Sequence, residues 1–548
     1  MGNGLPTNFP DFGLTAEERR FAWLNHFYEW PGMDGSRGEI WCYTDRMSYG
    51  PGELVRLQVS STAPRFSLEI FRDGAVEIKV FEKSDLVAGW QDTPDQCSVE
   101  GCGWETTFEF EVGEGWPSGG YRLKLTAQGR DDRPIHYQHL LIVRPKLGQR
   151  KAGRVLQVAA TSTWLAYNTW GGSNHYDGIT GPGRNEWSPR VSTQRPWARG
   201  FVTLPPEAPR VPLEVMVPPK TAPRHVHKEW AYATGHSKKY ASAGWATYDR
   251  HFLRFAERVG YDVDLISQHD LHFSPEILSE YDCVTIVGHD EYWTWEMRDA
   301  VDAYVEQGGG VARFAGNFAW QIRLEDEGRL QVCYKDRARA LDPLYNAGRI
   351  TRTATFWEAP EVGRPGARTF GLNATDGPYA GWQGNVPRGA RGFPIYRPEH
   401  WAFADTGLFY GDVLGAESHI FGYEVDGLDY EIRGGLPYPS PSSGAPDGLE
   451  ILAVGMASWA EWSNGLSRED FEFGDEEVRA AAELLFGEVT DDHIEKMKRG
   501  SGMIVNFIRG EGEVFNAGSC EWVAGLLRQD PMVERVTCNV LNRYLGRA

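Results

Sequence analysis

From Glu39 to about Val143, apolar and polar residues alternate in short runs parted by turn residues. Leu54-Val55-Arg56-Leu57-Gln58-Val59, Phe66-Ser67-Leu68-Glu69-Ile70-Phe71, Thr107-Phe108-Glu109-Phe110-Glu111-Val112 and Tyr121-Arg122-Leu123-Lys124-Leu125 each present every second side chain to one face. That is the pattern of a half-buried strand, and Pro117-Ser118-Gly119-Gly120 supplies the turn into the last hairpin. Several such runs at this spacing predict an antiparallel β-sandwich. Ahead of them, Phe21, Trp23, Leu24 and Phe27 fall on one stripe, which predicts a short amphipathic helix over residues 15–30.

After Pro145 the pattern changes. Val155-Leu156-Gln157-Val158-Ala159-Ala160 is largely apolar, as a strand buried on both faces requires. Helical sequence from Tyr248 to Val259 precedes strands at Asp262 to Ser267 and Asp282 to Val287. A helix from about Trp293 to Gln307 and a strand at Gly310 to Ala315 come next. This alternation predicts a parallel α/β sheet with right-handed crossovers. The tail adds strands near Ile451 to Val454, Gly502 to Ile508 and Gly512 to Asn516, then a closing helix from about Val533 to Leu545. Phe201 to Arg224 carries seven prolines and reads as a long surface excursion. Gly363 to Gly448 is loop-rich, and no internal repeat is present. The expected organisation is an N-terminal segment at 1–38, a sandwich domain at 39–148 and an α/β catalytic domain at 149–548.

Composition narrows the class. A chain of 548 residues exceeds what one core usually supports. Hydrophobic residues at 41% and aromatics at 13% supply a large core and exclude disorder over most of the length. A net charge of −20, from 56 basic and 76 acidic residues, argues against a nucleic-acid backbone as partner and suits solubility. No apolar run reaches the length of a membrane span. Residues 1–13 lack the apolar segment of a secretory signal, so the cytoplasm is the expected compartment. Seven cysteines in so long a chain make no disulfide framework, and Cys97 and Cys102 lack the second pair of a structural zinc site.

In an open α/β sheet, ligands bind beyond the carboxyl ends of the strands. The first predicted strand is followed by Trp164-Leu165-Ala166-Tyr167-Asn168 and then Ser173-Asn174-His175-Tyr176-Asp177. The third is followed by Gly288-His289-Asp290-Glu291-Tyr292-Trp293, and the fourth by Gly316-Asn317-Phe318-Ala319-Trp320. Tyrosines, a histidine, a carboxylate and an amide are thus aimed at one crevice. Each also has an ordinary reading. Tyr167 could be a packed core tyrosine, Asp290 a helix cap with Glu291 complementing the helix dipole, Asn317 a turn cap and Lys335 a solvated lysine. The pattern alone supports an active-site crevice and no particular reaction.

These segments, with Val332-Cys333-Tyr334-Lys335 and Gly422-Tyr423-Glu424-Val425-Asp426, resemble the large, catalytic subunit of N,N-dimethylformamidase. Order and approximate spacing agree over roughly residues 150 to 545, and the sandwich resembles that subunit's N-terminal region. The resemblance implies a glutamine amidotransferase-like sheet and cleavage of the C–N bond of a small, formamide-type amide. It also implies a mononuclear iron, Fe3+, held by two tyrosines and a glutamate. Tyr167 and Glu291 match two of the ligands. Tyr176 is taken as the third, with Tyr232, Tyr240 and Tyr248 as alternatives. Relatives often carry a tyrosine after Arg-Pro, where this chain has Trp197 after Arg195-Pro196. Residues that position or activate substrate and water correspond to His289, Asn317, Lys335 and Glu424. Glu424 is the expected general base, then acid, Asn317 orients substrate, His289 sits beside the metal, and Lys335 anchors the carboxylates. A small helical subunit and an oligomer are the implied partners.

The chemistry is coherent: three anionic oxygen donors favour a hard, highly charged ion over zinc. Two other readings stand beside it. A cysteine-dependent amidase of glutamine-amidotransferase type needs a Cys at a strand-to-helix elbow. Cys283 lies inside a predicted strand, while Cys333 and Cys520 lack the Gly-x-Cys-x-Gly frame. A non-catalytic carbohydrate- or protein-binding protein would keep the aromatic-rich sandwich and no working site.

Overall fold

The computed structural model describes Glu29 and residues 38–129, 133–178, 187–210, 226–377, 391–458, 476–497 and 499–547. Apart from Glu29, the stripe over 15–30 lies outside them, as do residues 211–224 of the proline-rich stretch; residues 201–210 form neither helix nor strand.

All four alternating runs are strands. Ile40–Thr44, Leu54–Ser61 and Thr106–Glu111 form one sheet. Ser48–Tyr49, Pro134–Val143, Gly119–Gln128, Arg65–Asp73 and Glu77–Val87 form a second, in that order. The pairing is antiparallel except where Ser48–Tyr49 runs parallel to the end of Pro134–Val143. Alternation does what the sequence requires: Phe66, Leu68 and Ile70 are buried while Ser67, Glu69 and Phe71 are only partly so.

The second architecture is a seven-stranded sheet. Its strands, in chain order, are β1 (Val155–Ala159), β2 (Val263–Ser267), β3 (Cys283–His289), β4 (Gly310–Gly316), β5 (Glu450–Ser458), β6 (Arg499–Arg509) and β7 (Gly512–Asn516). They lie in the order β2-β1-β3-β4-β7-β6-β5. The first five of that order run parallel, and β6 is antiparallel to both neighbours. The expected parallel sheet is therefore mixed. Its cause is local: only Gly510 and Glu511 separate β6 from β7, and so short a connection can join only antiparallel strands.

Five helices matter below: α1 (Thr161–Tyr167), α2 (Arg250–Arg258), α3 (Trp295–Glu306), α4 (Trp522–Leu527) and α5 (Pro531–Tyr544). Helix α3 starts later than its apolar pattern suggests. Tyr292–Thr294 is instead a short strand that pairs with Trp320–Glu325. The cap of α3 is consequently Thr294, whose side chain accepts from Met297 N at 3.2 Å, so Asp290 does not cap it. Among the described residues, no helix is long and apolar enough to cross a membrane.

The sandwich is fixed to the α/β layer by a buried charge cluster. Asp73 ends a sandwich strand and accepts from Trp245 Nε1 at 2.7 Å, Arg250 at 3.0 Å and Arg254 at 2.7 Å. Its neighbour Arg72 pairs with Glu257 on the same helix at 2.5 Å. One apolar core runs from Ile40 and Leu68 through Trp245 to Phe314 and Trp522.

From β1 the chain crosses to β2 on one side, and β3 then pairs on the other. The carboxyl ends of β1 and β3 flank that switch point, where a crevice opens in such sheets.

Candidate active site

The site is assembled from the ends of β1, β3, β4 and β7. Tyr167 is the last residue of α1, which leaves β1. β3 delivers His289 through Gly288, whose φ is +74°. An added Cβ on Gly288 would lie 2.4 Å from the Cβ of Tyr248, so a side chain has neither the conformation nor the room. Glu291 follows, pinned through its backbone: its N–H donates to Thr163 Oγ1 and its carbonyl accepts from Trp320 N, both at 2.9 Å. β4 ends at Gly316, where a Cβ would come within 2.7 Å of Cys520 N and 2.8 Å of the Glu424 carbonyl. That close approach brings the 424 and 520 loops against Asn317, which itself holds φ +61°.

Most of the expected site residues converge. Tyr176 donates to Glu291 Oε1 at 2.5 Å, and Trp320 Nε1 donates to the same oxygen at 2.6 Å. The rings of Tyr167 and Tyr176 lie 4.3 Å apart, and Tyr167 lies 5.2 Å from the His289 ring. His289 Nε2 faces Glu291 Oε2 at 3.2 Å and Glu424 Oε2 at 2.9 Å. Asn317 Nδ2 donates to Glu424 Oε2 at 2.7 Å. His289, Glu291 and Glu424 are 1%, 3% and 4% exposed, so these charges meet away from bulk water.

Burial tends to neutralise such groups, and the neighbours decide which stay charged. For His289, burial pushes the pKa down, but Glu424 and Glu291 outweigh it and raise it to about 10. Its Nδ1 donates to the Ser242 carbonyl at 2.7 Å while Nε2 points at two carboxylates, the contacts of an imidazolium. Burial also pushes Glu291 up, yet the His289 and Lys335 charges and the Tyr176 hydrogen bond leave it below the usual range. Glu424 goes the other way: burial, with Glu291 nearby, keeps its carboxyl raised despite His289 and Asn317. Burial and the Glu291 charge raise both Tyr167 and Tyr176 well above the ordinary phenol value.

Lys335 acts on the carboxylates by its charge, without a direct ion pair among the described residues. Buried at 7% exposure, its ammonium lies 3.1 Å from the centroid of the Tyr176 ring. It lowers the Glu291 pKa by its charge, but no ion pair within 4 Å joins it to a carboxylate among the described residues.

The alternative tyrosines make other contacts. Tyr232 is exposed and Tyr240 donates to the Pro209 carbonyl. Tyr248 lies near His289, but its hydroxyl donates to the Ala241 carbonyl. Trp197 stacks with Phe201 and packs on Trp164. Two further residues join the site, one of them Cys520, weighed above as a nucleophile. Tyr423 places its hydroxyl 3.2 Å from His289 Nδ1. Cys520, in the turn between β7 and α4, has its sulfur within 4.8 Å of ligand atoms of both His289 and Glu424. All seven cysteines are free, Cys97 and Cys102 included.

A cation would find open donors here. Beyond His289 Nε2 at 3.2 Å, Glu291 Oε2 has no hydrogen-bond partner among the described residues, and neither does the Tyr167 hydroxyl. With Tyr176, that is a buried set of three oxygen donors, the kind that suits a hard ion. His289, Glu424 and Cys520 offer a second, mixed set beside it.

A family model described as N,N-dimethylformamidase beta subunit-like, C-terminal, matches residues 70–534. The N,N-dimethylformamidase beta subunit of Alcaligenes sp is 22% identical over 496 residues, covering 82% of this chain and 55% of that protein. The same-named subunit of Paracoccus aminophilus is 26% identical over 144 residues, 26% of this chain and 16% of that protein. The chain thus spans about half the length of the Alcaligenes relative. Among solved structures, murine CRIg matches 20% of this chain and 99% of its own at 10% identity, with a TM-score of 0.15 from which nothing follows.

Proposed function

The chain belongs to the N,N-dimethylformamidase beta subunit-like family, and on that premise we propose that it is a hydrolase cleaving the C–N bond of a small, formamide-type amide. The observation that carries the reading is the meeting of Tyr176 with Glu291, beside Tyr167, at the switch point of the sheet. Tyr167, Tyr176 and Glu291 would hold a single Fe3+. Such an ion, when bound, polarises an amide carbonyl and makes a neighbouring water more acidic.

The chain's own residues do the rest. Glu424, with its raised carboxyl, accepts the proton of the attacking water and returns it to the departing amine nitrogen. His289 holds Glu424 by its charge, and Asn317 fixes one carboxylate oxygen by donating to it. In this reading the Asn317 amide also orients the substrate. Lys335 keeps the Tyr176 ring in place from its face. Burial of all these groups strengthens their mutual electrostatics. The order β2-β1-β3-β4 supports a glutamine amidotransferase-like sheet as part of this reading. The relatives are named beta subunits, which supports a further subunit as partner; that this partner is small and helical and the assembly cytoplasmic is part of the proposal.

A second reading is favoured by one observation, the nearness of Cys520 to His289 and Glu424 at a strand-to-helix turn. In it Cys520 is the nucleophile. Against it, burial pushes the Cys520 thiol well up, with Glu424, Asp426 and Glu521 adding to the effect, the reverse of an activated thiolate. Incubating the iron-loaded chain with formamide and N-alkylated formamides and measuring released amine separates the two. The iron reading expects turnover to survive the Cys520→Ser substitution, and the thiol reading expects it to vanish.

A further inference from the structure

Directly under the crevice lies a charge cluster with no access to solvent. Arg313, in the middle of β4, is 0% exposed, as are Asp290 and Asp426. Arg313 Nη1 donates to Asp426 Oδ2 at 2.8 Å, to the Ala315 carbonyl at 3.0 Å and to Asn516 Oδ1 at 3.3 Å. Its Nε faces Asp290 Oδ2 at 3.7 Å. Asp290 is held further by Trp293 Nε1 at 2.8 Å and Gln268 Nε2 at 3.2 Å. Asp426 accepts from Phe318 N at 3.2 and 3.3 Å. A buried ion cluster is costly and rarely the cheapest way to stabilise a fold. Its location here is therefore informative. Asp290 precedes Glu291, Phe318 follows Asn317, and Asp426 lies two positions after Glu424. Each arm of the cluster ends beside a different site residue.

We propose that Arg313 is a positioning residue that sets the spacing of Glu291, Asn317 and Glu424 by tying together the loops that carry them. The inference rests on the site described above and deepens the amide-hydrolase reading. Asn317 holds φ +61°, a left-handed conformation that Asn tolerates, and the backbone N–H that follows it donates to the Asp426 carboxylate, which Arg313 orients. Nη1 reaches Asp426 while Nε faces Asp290, and an ammonium, a single point charge, cannot span both carboxylates in this way.

The test compares Arg313→Lys and Arg313→Met with a core control away from the site, Val540→Ala on α5, chosen to match their loss of melting temperature. Crystal structures and iron titrations are the readouts, with kcat and KM measured separately. In Arg313→Lys the Asn317–Glu424 hydrogen bond is expected to open and iron affinity to fall at least tenfold. kcat is expected to fall by a similar factor with KM moving less than threefold, and Val540→Ala to retain wild-type values. If Arg313→Met does not fold, Asp426→Asn provides the same structural readout. An unchanged Asn317–Glu424 bond in Arg313→Lys, or equal losses in Val540→Ala, overturns the proposal. A wild-type chain that neither binds iron nor releases amine would instead overturn the hydrolase reading. The crystallographic comparison still decides the role of Arg313 in that event.

Discussion

Tyr176 donates a 2.5 Å hydrogen bond to Glu291 across 115 positions of sequence, and both side chains sit at the end of the parallel part of the sheet. Burial and the Glu291 charge keep Tyr176 a neutral phenol in this arrangement. In the proposed reading it loses that proton on binding the metal, so metal affinity falls with acid.

Glu291→Ala is expected to abolish both metal content and turnover. Trp320→Phe tests the surrounding support: it removes the 2.6 Å hydrogen bond to Glu291 while keeping a ring that stacks on Phe356. Loss of such an outer partner costs about 10- to 100-fold in metal affinity. Competition against a chelator of known affinity measures it.

Glu424→Gln keeps the size of the side chain and removes its basicity. kcat is expected to fall about a hundred- to ten-thousand-fold, the usual contribution of a positioned general base. Metal content should stay at the wild-type level, because Glu424 is outside the Tyr167, Tyr176, Glu291 set. Parallel loss of iron would show that Glu424 is a ligand.

Asp73 predicts an acid-labile junction. Burial would raise its pKa, but Arg250, Arg254 and the Trp245 hydrogen bond hold it below the ordinary value of 3.8. A carboxylate depressed on folding contributes stability that is fully present above about pH 4 and lost as pH falls through its folded value. Asp73→Ala leaves two arginines unpaired and should cost about 3–5 kcal/mol at neutral pH. Urea unfolding from pH 7 to pH 3 checks the sign: the gap between wild type and variant should narrow towards acid.

Strands with strict alternation, such as Arg65–Asp73, and largely apolar strands buried throughout, such as Cys283–His289, were legible because burial imposes those patterns directly. Strand direction was not. The Gly502 to Ile508 run reads the same either way, and its antiparallel course follows from a two-residue turn. The start of α3 was misread because Tyr292–Thr294 is apolar enough to continue the helix pattern while pairing as a strand. The strand-end rule located Tyr167, His289, Glu291 and Asn317. Glu424 and Lys335 lie far from those ends in sequence and were reached through family resemblance. Tyr423 and Cys520 arrive only by the close packing around Gly316, which no local pattern encodes. That Lys335 is buried on a tyrosine face is likewise a tertiary fact.

The most direct test is the visible absorption of the purified chain titrated with ferric iron. Two phenolate ligands should produce a charge-transfer band that saturates at one iron per chain, weakens in Tyr176→Phe and disappears in Glu291→Ala. A colourless complex, or a band untouched by both substitutions, would contradict the assignment of Tyr167, Tyr176 and Glu291 as the metal centre.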